Sequence, residues 1–208
     1  MFDLEGLPNN QLDFLRELEN IGAGHAASAL SSMLGDEVHL CVPRAQFCAY
    51  ANICDLLNGP ESIVAGLLVG ISEDINGYIL LVMSKPDAYA LTQMLTGETP
   101  SEENDSIADL SEMQISALKE ISNILVGSYL SAIASLTGFT VNASVPELVI
   151  DMAGAVMNLL VSAYGNYGDG VLFMETEFAT AQQSIFGRFF LIPDVDSYNR
   201  LMAQMGLL

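Results

Sequence analysis

The chain has 208 residues, 51% hydrophobic and 15% charged, so it can bury a large core and extensive disorder is excluded. Its 6 basic and 26 acidic residues give a formal charge of −20, which repels nucleic acid and anionic lipid and favours basic partners. The longest apolar stretches are too short for a membrane span, and the first residues lack a signal-peptide pattern. We therefore expect a cytoplasmic protein that binds neither nucleic acid nor membrane.

The chain is an internal duplication. Aligning residue 13 with residue 116 matches 13–43 to 116–146 without a gap, and twelve of these 31 positions are identical. We predict one domain over 1–208, made of two repeats at about 8–97 and 106–206 and joined by an acidic linker at 98–105.

In chain order, the first predicted element is a long amphipathic helix with leucines three residues apart, which ends at Gly35. A strand then leads into Pro43. Apolar runs at 62–72 and 77–84 predict an antiparallel hairpin, and Pro86 with Asp87 predicts the start of a short helix.

The second repeat predicts the same series of elements. A helix ends at Gly138, a strand leads into Pro146, and runs at 171–180 and 186–192 form a second hairpin before a helix that Pro193 introduces. An additional helix is predicted over 150–164. The predicted fold class is α/β: a mostly antiparallel sheet with pseudo-two-fold symmetry that carries the two long helices on one face.

Polar residues of each long helix fall at positions i, i+4, i+7 and i+11, which lie along one face. A lone Glu-x-x-Asn on a helix is typical of an ordinary solvated surface. Here the Glu and the Asn keep their register in both repeats while their neighbours change, which favours a functional role. The first stripe consists of Asp13, Glu17, Asn20 and Gly24, and the second stripe consists of Ser116, Glu120, Asn123 and Gly127.

The pattern Asp/Ser-x3-Glu-x2-Asn-x22-Pro, which ends at Pro43 and at Pro146, resembles the signature of the chemotaxis phosphatases CheC, CheX and FliY. The resemblance covers nearly the whole chain, and two motifs in a chain of this length resemble the CheC type. It implies hydrolysis of the aspartyl phosphate of a CheY-like response regulator in two-component signalling. The regulator would hold the Mg²⁺, and this chain would need no cofactor of its own.

The resemblance also implies roles for the motif residues. Asn20 and Asn123 would hold the attacking water in the regulator's active site, and Glu17 and Glu120 would pair with the regulator's lysine. Asp13 and Ser116 would accept hydrogen bonds from the partner or cap local backbone. Pro43 and Pro146 would shape the adjacent strand. Gly24 and Gly127 would permit close approach, either of the partner or of the opposite helix.

The chain departs from the family pattern at Glu19 and Ser122, where relatives often have Gly between the Glu and the Asn. The additional charge at Glu19 could alter docking at the first site. The second site is therefore the safer assignment.

Two alternatives stay open. One is a non-catalytic adaptor that binds the receptor deamidase CheD, as the same resemblance implies. The other is a metalloenzyme, disfavoured because no carboxylate has His or Cys at ligand spacing and because Cys41, Cys48 and Cys54 fit buried free thiols better. Its carboxylates would be Glu61, Glu73, Asp74, Asp151, Glu175 and Glu177. Because the duplication already supplies two-fold symmetry within one chain, we expect a monomer.

Overall fold

The computed structural model describes residues 9–35, 37–98, 110–164, 170–179 and 184–204. The first repeat contains helix α1 (Asn9–Leu34), strand β1 (His39–Ala49), a 3₁₀ turn (Tyr50–Asn52), helix α2 (Ile53–Leu56), strands β2 (Ile63–Glu73) and β3 (Gly77–Ser84), and helix α3 (Lys85–Thr96). The second contains helix α4 (Glu112–Thr137), strands β4 (Val141–Ala143) and β5 (Glu147–Met152), helix α5 (Ala153–Tyr164), strands β6 (Gly170–Ala179) and β7 (Ser184–Pro193), and helix α6 (Val195–Gln204).

Local chemistry sets the ends of the two long helices. Both α1 and α4 stop at a glycine in the left-handed conformation, Gly35 with φ +67° and Gly138 with φ +76°. Helix α4 also begins with a capping box, in which the Ser111 Oγ accepts from the Gln114 backbone N–H and the Gln114 side chain accepts from the Ser111 N–H. The predicted ends of both helices are confirmed.

Strands from the two repeats are interleaved in one antiparallel sheet, with the two hairpins side by side at its centre. In the described part of the chain, its order is β1-β6-β7-β3-β2, and both β4 and β5 pair with the outer edge of β2. The first strand of each repeat therefore pairs with the hairpin of the other repeat. The registers are reciprocal, since Ala49 pairs with Gly170 while Met152, the counterpart of Ala49, pairs with Ile63.

Each face of the sheet carries a helical layer. On β3, Ile79 and Leu81 face α1, α3, α4 and α6, whereas Leu80 and Val82 face α2 and α5. This alternation follows from the two-residue period of a strand, and burial on both faces explains the near-continuous apolar runs. The predicted fold class, with the two motif helices on one face of a mostly antiparallel sheet, is confirmed.

Helices α1 and α4 pack against each other in antiparallel orientation. Leu18 shares a core cluster with Ile133, while Leu30 shares another with Leu118. At the crossing, Gly22 lies against Tyr129, and a Cβ atom on Gly22 would stand 2.6 Å from the Tyr129 Cδ1. Gly22 is thus the glycine that lets the helices approach.

Gly24 and Gly127 do not serve the helix contact. A Cβ atom built on either glycine has no neighbour within 4 Å, and both glycines are exposed. The prediction that they permit approach of the opposite helix is wrong, because they lie on the outer side of the helix pair. Approach of a partner stays a prediction.

Three further element predictions need correction. Residues 150–152 continue β5 by pairing with β2, so the additional helix starts at Ala153. Strand β1 extends six residues beyond Pro43, because β6 pairs with it on both sides of a register shift between Cys41 and Arg44. Pro193 ends β7, and the next helix starts at Val195.

Some predicted segments fall outside the described residues. These are the linker at 98–105, apart from Glu98, and position 180 at the end of a predicted strand. Within the described residues, no helix is both long enough and apolar enough to cross a membrane.

Candidate functional site

The Glu and Asn of each stripe point away from the core. Glu17 and Asn20 on α1 are exposed, as are Glu120 and Asn123 on α4. The opposite side of each helix is buried, with Leu18 and Leu118 fully covered. Because three residues make almost one helical turn, each Glu lies beside its Asn on the surface.

These four side chains make no hydrogen bond or ion pair with any other residue that the structure describes. A carboxylate and a carboxamide that lack internal partners can offer their full hydrogen-bonding capacity to a visiting molecule. One turn further along, Gly24 and Gly127 leave bare helix backbone beside each Asn. Each stripe is therefore a polar, sterically open surface.

The two stripes lie toward opposite ends of the helix pair. Antiparallel packing brings the end of α1 to the second stripe, since Met33 borders the same hollow as Ser116 and Glu120. The second site is thus built from one motif helix and flanked by the end of the other. The predicted separation of the two sites follows from this arrangement.

The supporting motif residues divide into two groups. Ser116 is exposed one turn before Glu120 and belongs to the second stripe, whereas the side chain of Asp13 lies outside the described residues. Neither proline belongs to a stripe. Pro43 lies in the register shift of β1, and Pro146 is buried in the gap between β4 and β5.

Both prolines thus stand where a strand ladder is interrupted. Proline has no N–H to donate, so an interruption at the sheet edge is a position where it is tolerated. The strand-shaping role of the two prolines stays a prediction.

Of the two departures from the family pattern, the structure describes the side chain of Ser122. It is fully buried, and its hydroxyl has no hydrogen-bond partner in the described part of the chain. Ser122 therefore faces the core, and this departure leaves the outer surface of the second stripe unchanged.

The carboxylates of the metalloenzyme alternative are dispersed, and no three Asp, Glu, His or Cys residues come together as ligands among the described residues. Several make structural bonds instead. Asp74 Oδ2 accepts from the Thr140 N–H at 2.8 Å, and Glu175 lies 3.6 Å from Arg188 across the β6–β7 ladder.

The three cysteines form no disulfide with one another, as predicted, but the expected burial is wrong. Cys41 is exposed, and Cys48 and Cys54 are half-buried. Cys41 lies on the edge strand β1, where no further strand of the described sheet covers it.

Sequence reasoning missed one feature of the site, a hollow of about 540 Å³ beside the second stripe. Met33 and Met113 border it and are 40% and 60% exposed. These residues come from separate helices, so no local pattern joins them. The only available signal was Met113 itself, an apolar residue in the first turn of a motif helix.

Comparison with known proteins identifies the family to which this chain belongs. The family model described as the CheC-like family matches residues 11–45 and 113–150, which are the motif helix and first strand of each repeat. The chain is 34% identical to the CheY-P phosphatase CheC of Bacillus subtilis over 205 residues, covering 97% of this chain and 96% of that protein. The chain therefore belongs to the CheC-like family.

Two further relatives carry the FliY name. The flagellar motor switch phosphatase FliY of Bacillus subtilis is 27% identical over 70% of this chain and 37% of that protein. The crystal structure of Thermotoga maritima FliY superposes with a TM-score of 0.74 at 22% identity, covering 97% of this chain and 98% of that chain. The superposition on Thermotoga maritima FliY shows that the two proteins share a fold.

Proposed function

We propose that this chain is a phosphatase that hydrolyses the aspartyl phosphate of a CheY-like response regulator. The observation that carries the proposal is the pair of exposed Glu/Asn stripes in matching register on two symmetry-related helices. Support comes from the 34% identity, over nearly the whole chain, to a protein named for the same activity.

Asn20 and Asn123 are the proposed catalytic residues. A carboxamide can accept a hydrogen bond from water and donate one to it, and it does not titrate near neutral pH. Docked against the regulator, each Asn would hold a water in line with the bond between phosphorus and the aspartyl oxygen. Attack by that water breaks the bond and yields inorganic phosphate and a free aspartate.

Glu17 and Glu120 are the proposed docking residues. Their exposed carboxylates lie within one turn of the catalytic Asn, where each can receive the ammonium group of the regulator's lysine. This contact fixes the register of the partner and draws the lysine away from the phosphate. The charge of −20 on the chain favours approach of a basic surface.

The proposal needs no metal bound to this chain. In phosphoryl transfer, a Mg²⁺ neutralises charge on the phosphoryl oxygens, and here the regulator would hold that ion. The proposal places both sites on one domain, with one site in each repeat, acting in the cytoplasm.

The proposal includes two further features of assembly. We expect a monomer, because the reciprocal strand registers already form a two-fold arrangement within one chain. A role as a CheD-binding adaptor is compatible with catalysis and rests on the family resemblance alone.

Decay of a radiolabelled, phosphorylated CheY-type regulator tests the catalytic proposal. We expect partial loss of the acceleration with Asn20→Ala and with Asn123→Ala, because each variant keeps one intact site. The double variant should return the decay rate to that of the regulator alone. The circular dichroism spectrum should not change, because both side chains are exposed.

Asn158→Ala is the matched control, because Asn158 is an exposed helical asparagine on α5, in the layer on the other face of the sheet. It should keep full activity. A double variant as active as the wild type would refute the assignment of the catalytic residues. A wild-type chain that leaves the decay rate unchanged would support the adaptor instead.

A further inference from the structure

The hollow beside the second stripe is mostly apolar. It is an open depression of about 540 Å³ that lies where the ends of α1 and α3 meet the beginning of α4. Ser116 and Glu120 of the second stripe form part of its wall. Its apolar lining comprises Met33, Leu95, Met113 and Ala117.

Two methionines of this lining are partly in water, Met33 at 40% and Met113 at 60% exposure. Methionine is unbranched and polarisable, so it adapts to differently shaped apolar groups and is frequent on protein-binding surfaces. Exposed apolar side chains gathered around a concave surface are typical of an interaction site.

The first repeat differs from the second at two of the positions that form this hollow. At its equivalent positions, Phe14 replaces Ala117 and Asn10 replaces Met113. Phe14 is partly buried and packs against the core cluster that contains Leu18, so the first repeat has a large ring at the position where the second repeat has a methyl group. The two stripes carry the same Glu and Asn but have different surroundings.

We propose that the hollow is a docking subsite that receives an apolar side chain of the phosphorylated regulator, which makes the second site the tighter-binding one. The inference rests on the proposed function and deepens it. The hollow is continuous with the stripe, because Ser116 and Glu120 belong to both. A regulator whose lysine meets Glu120 therefore covers the mouth of the hollow.

The charge at the rim also fits that occupant. Glu112 and Glu120 both border the hollow. An apolar side chain with lysines next to it could therefore contact the apolar walls while its lysines pair with these carboxylates. Burying one such side chain changes affinity by about tenfold or more. The subsite acts on binding and leaves the attack by water unchanged.

The test isolates each site with the catalytic variants. In an Asn20→Ala chain, which retains only the second site, Ala117→Phe copies the first repeat and fills the hollow. We expect KM for the phosphorylated regulator to rise about 10-fold with little change in kcat. In an Asn123→Ala chain, which retains only the first site, the same substitution should leave both constants unchanged.

Met113→Gln is a second variant, which keeps the size of the side chain and removes its apolar character at an exposed position. In the Asn20→Ala chain it should also raise KM. Leu159→Gln is its matched control, because Leu159 is a 55% exposed apolar residue on the opposite helical layer. That control should not change KM.

Binding of the regulator activated with beryllofluoride and Mg²⁺, measured by calorimetry, separates this inference from the catalytic proposal. If the hollow variants weaken binding of the activated regulator, but the wild type does not accelerate loss of its phosphate, the catalytic proposal alone is overturned. If Ala117→Phe and Met113→Gln leave both KM and this affinity unchanged, the subsite is refuted while catalysis stands. Absence of any binding by the wild type would overturn both.

Discussion

At the scale of single residues, Gly22 and Gly24 illustrate two different uses of glycine within one helix turn. Gly22 faces the neighbouring helix, where the Tyr129 ring lies directly over it. The centroid of this ring is 4.9 Å from that of the Phe189 ring. Gly24 faces open solvent beside Asn20. The same residue type therefore permits a core contact at one position and leaves room for a partner at the other.

Alanine at these two positions should have opposite effects on stability. Gly22→Ala places a methyl group 2.6 Å from the Tyr129 Cδ1, and we expect the free energy of unfolding to fall by about 1 to 3 kcal/mol. Gly24→Ala meets no neighbour and should raise it by about 1 kcal/mol, because alanine is the better helix former. Urea denaturation followed by circular dichroism measures both, and shifts of the same sign would contradict this account.

The sequence predicted the exposed Glu and Asn side chains, because their position opposite the apolar face follows from helical periodicity alone. It could not predict the role of Gly22. In the second repeat the equivalent residue is Leu125, and the small residue Ala26 is the counterpart of Tyr129. The exchange of large and small residues across the helix crossing becomes visible only when the two helices are paired in space.

At the scale of elements, the start of α4 positions the second site. The Ser111 Oγ accepts from the Gln114 N–H at 3.2 Å and donates to Glu98 Oε2 at 2.8 Å. These bonds fix the first turn of the helix, one turn before Ser116. The cap thus connects the end of α3 to the motif helix.

Ser111→Ala should lower the free energy of unfolding by about 1 kcal/mol, the usual cost of losing an N-terminal cap. Ser135→Ala is the control, because Ser135 is exposed within the same helix and its hydroxyl makes no hydrogen bond with another described residue. Thermal unfolding followed by circular dichroism compares the two variants. Equal destabilisation by both would show that the cap has no special role.

Element boundaries were predictable wherever a local signal marks them, as at Gly35 and Gly138. They were not predictable where pairing with a distant strand decides. The sequence at 150–152 is compatible with the start of a helix, yet these residues pair with β2 and continue the sheet. Pro43 looks like the end of a strand, yet β6 continues to pair beyond it through a bulge.

At the scale of the whole molecule, Tyr50 links the two repeats. Its hydroxyl donates to the Met157 backbone oxygen on α5 at 3.0 Å. Burial, together with the charge of the nearby Cys54 thiolate, raises the pKa of Tyr50 to about 12. The folded state therefore holds this proton more tightly than the unfolded chain does.

Because the pKa is raised on folding, the stabilising contribution of Tyr50 is fully present below pH 10 and is lost as the pH rises towards about 12. We expect the free energy of unfolding to fall over this interval, and Tyr50→Phe should make that fall shallower. Denaturant titrations of both proteins across the interval test this. Parallel curves would mean that Tyr50 does not titrate differently in the two states.

The duplication and the layered fold class were predictable because both repeats keep the same order of elements. The mixed strand order was not, since identical repeats could equally form two separate sheets side by side. Which strand pairs with which depends on contacts between residues that are far apart in the sequence, such as Ala49 with Gly170.

Each repeat supplies the edge strand that pairs with the hairpin of the other repeat, so neither half contains a complete sheet by itself. A polypeptide corresponding to one half would have an unpaired strand edge and an exposed hydrophobic face. It could cover both only by pairing with another half. Each motif helix consequently depends on strands from a second half for the sheet that supports it.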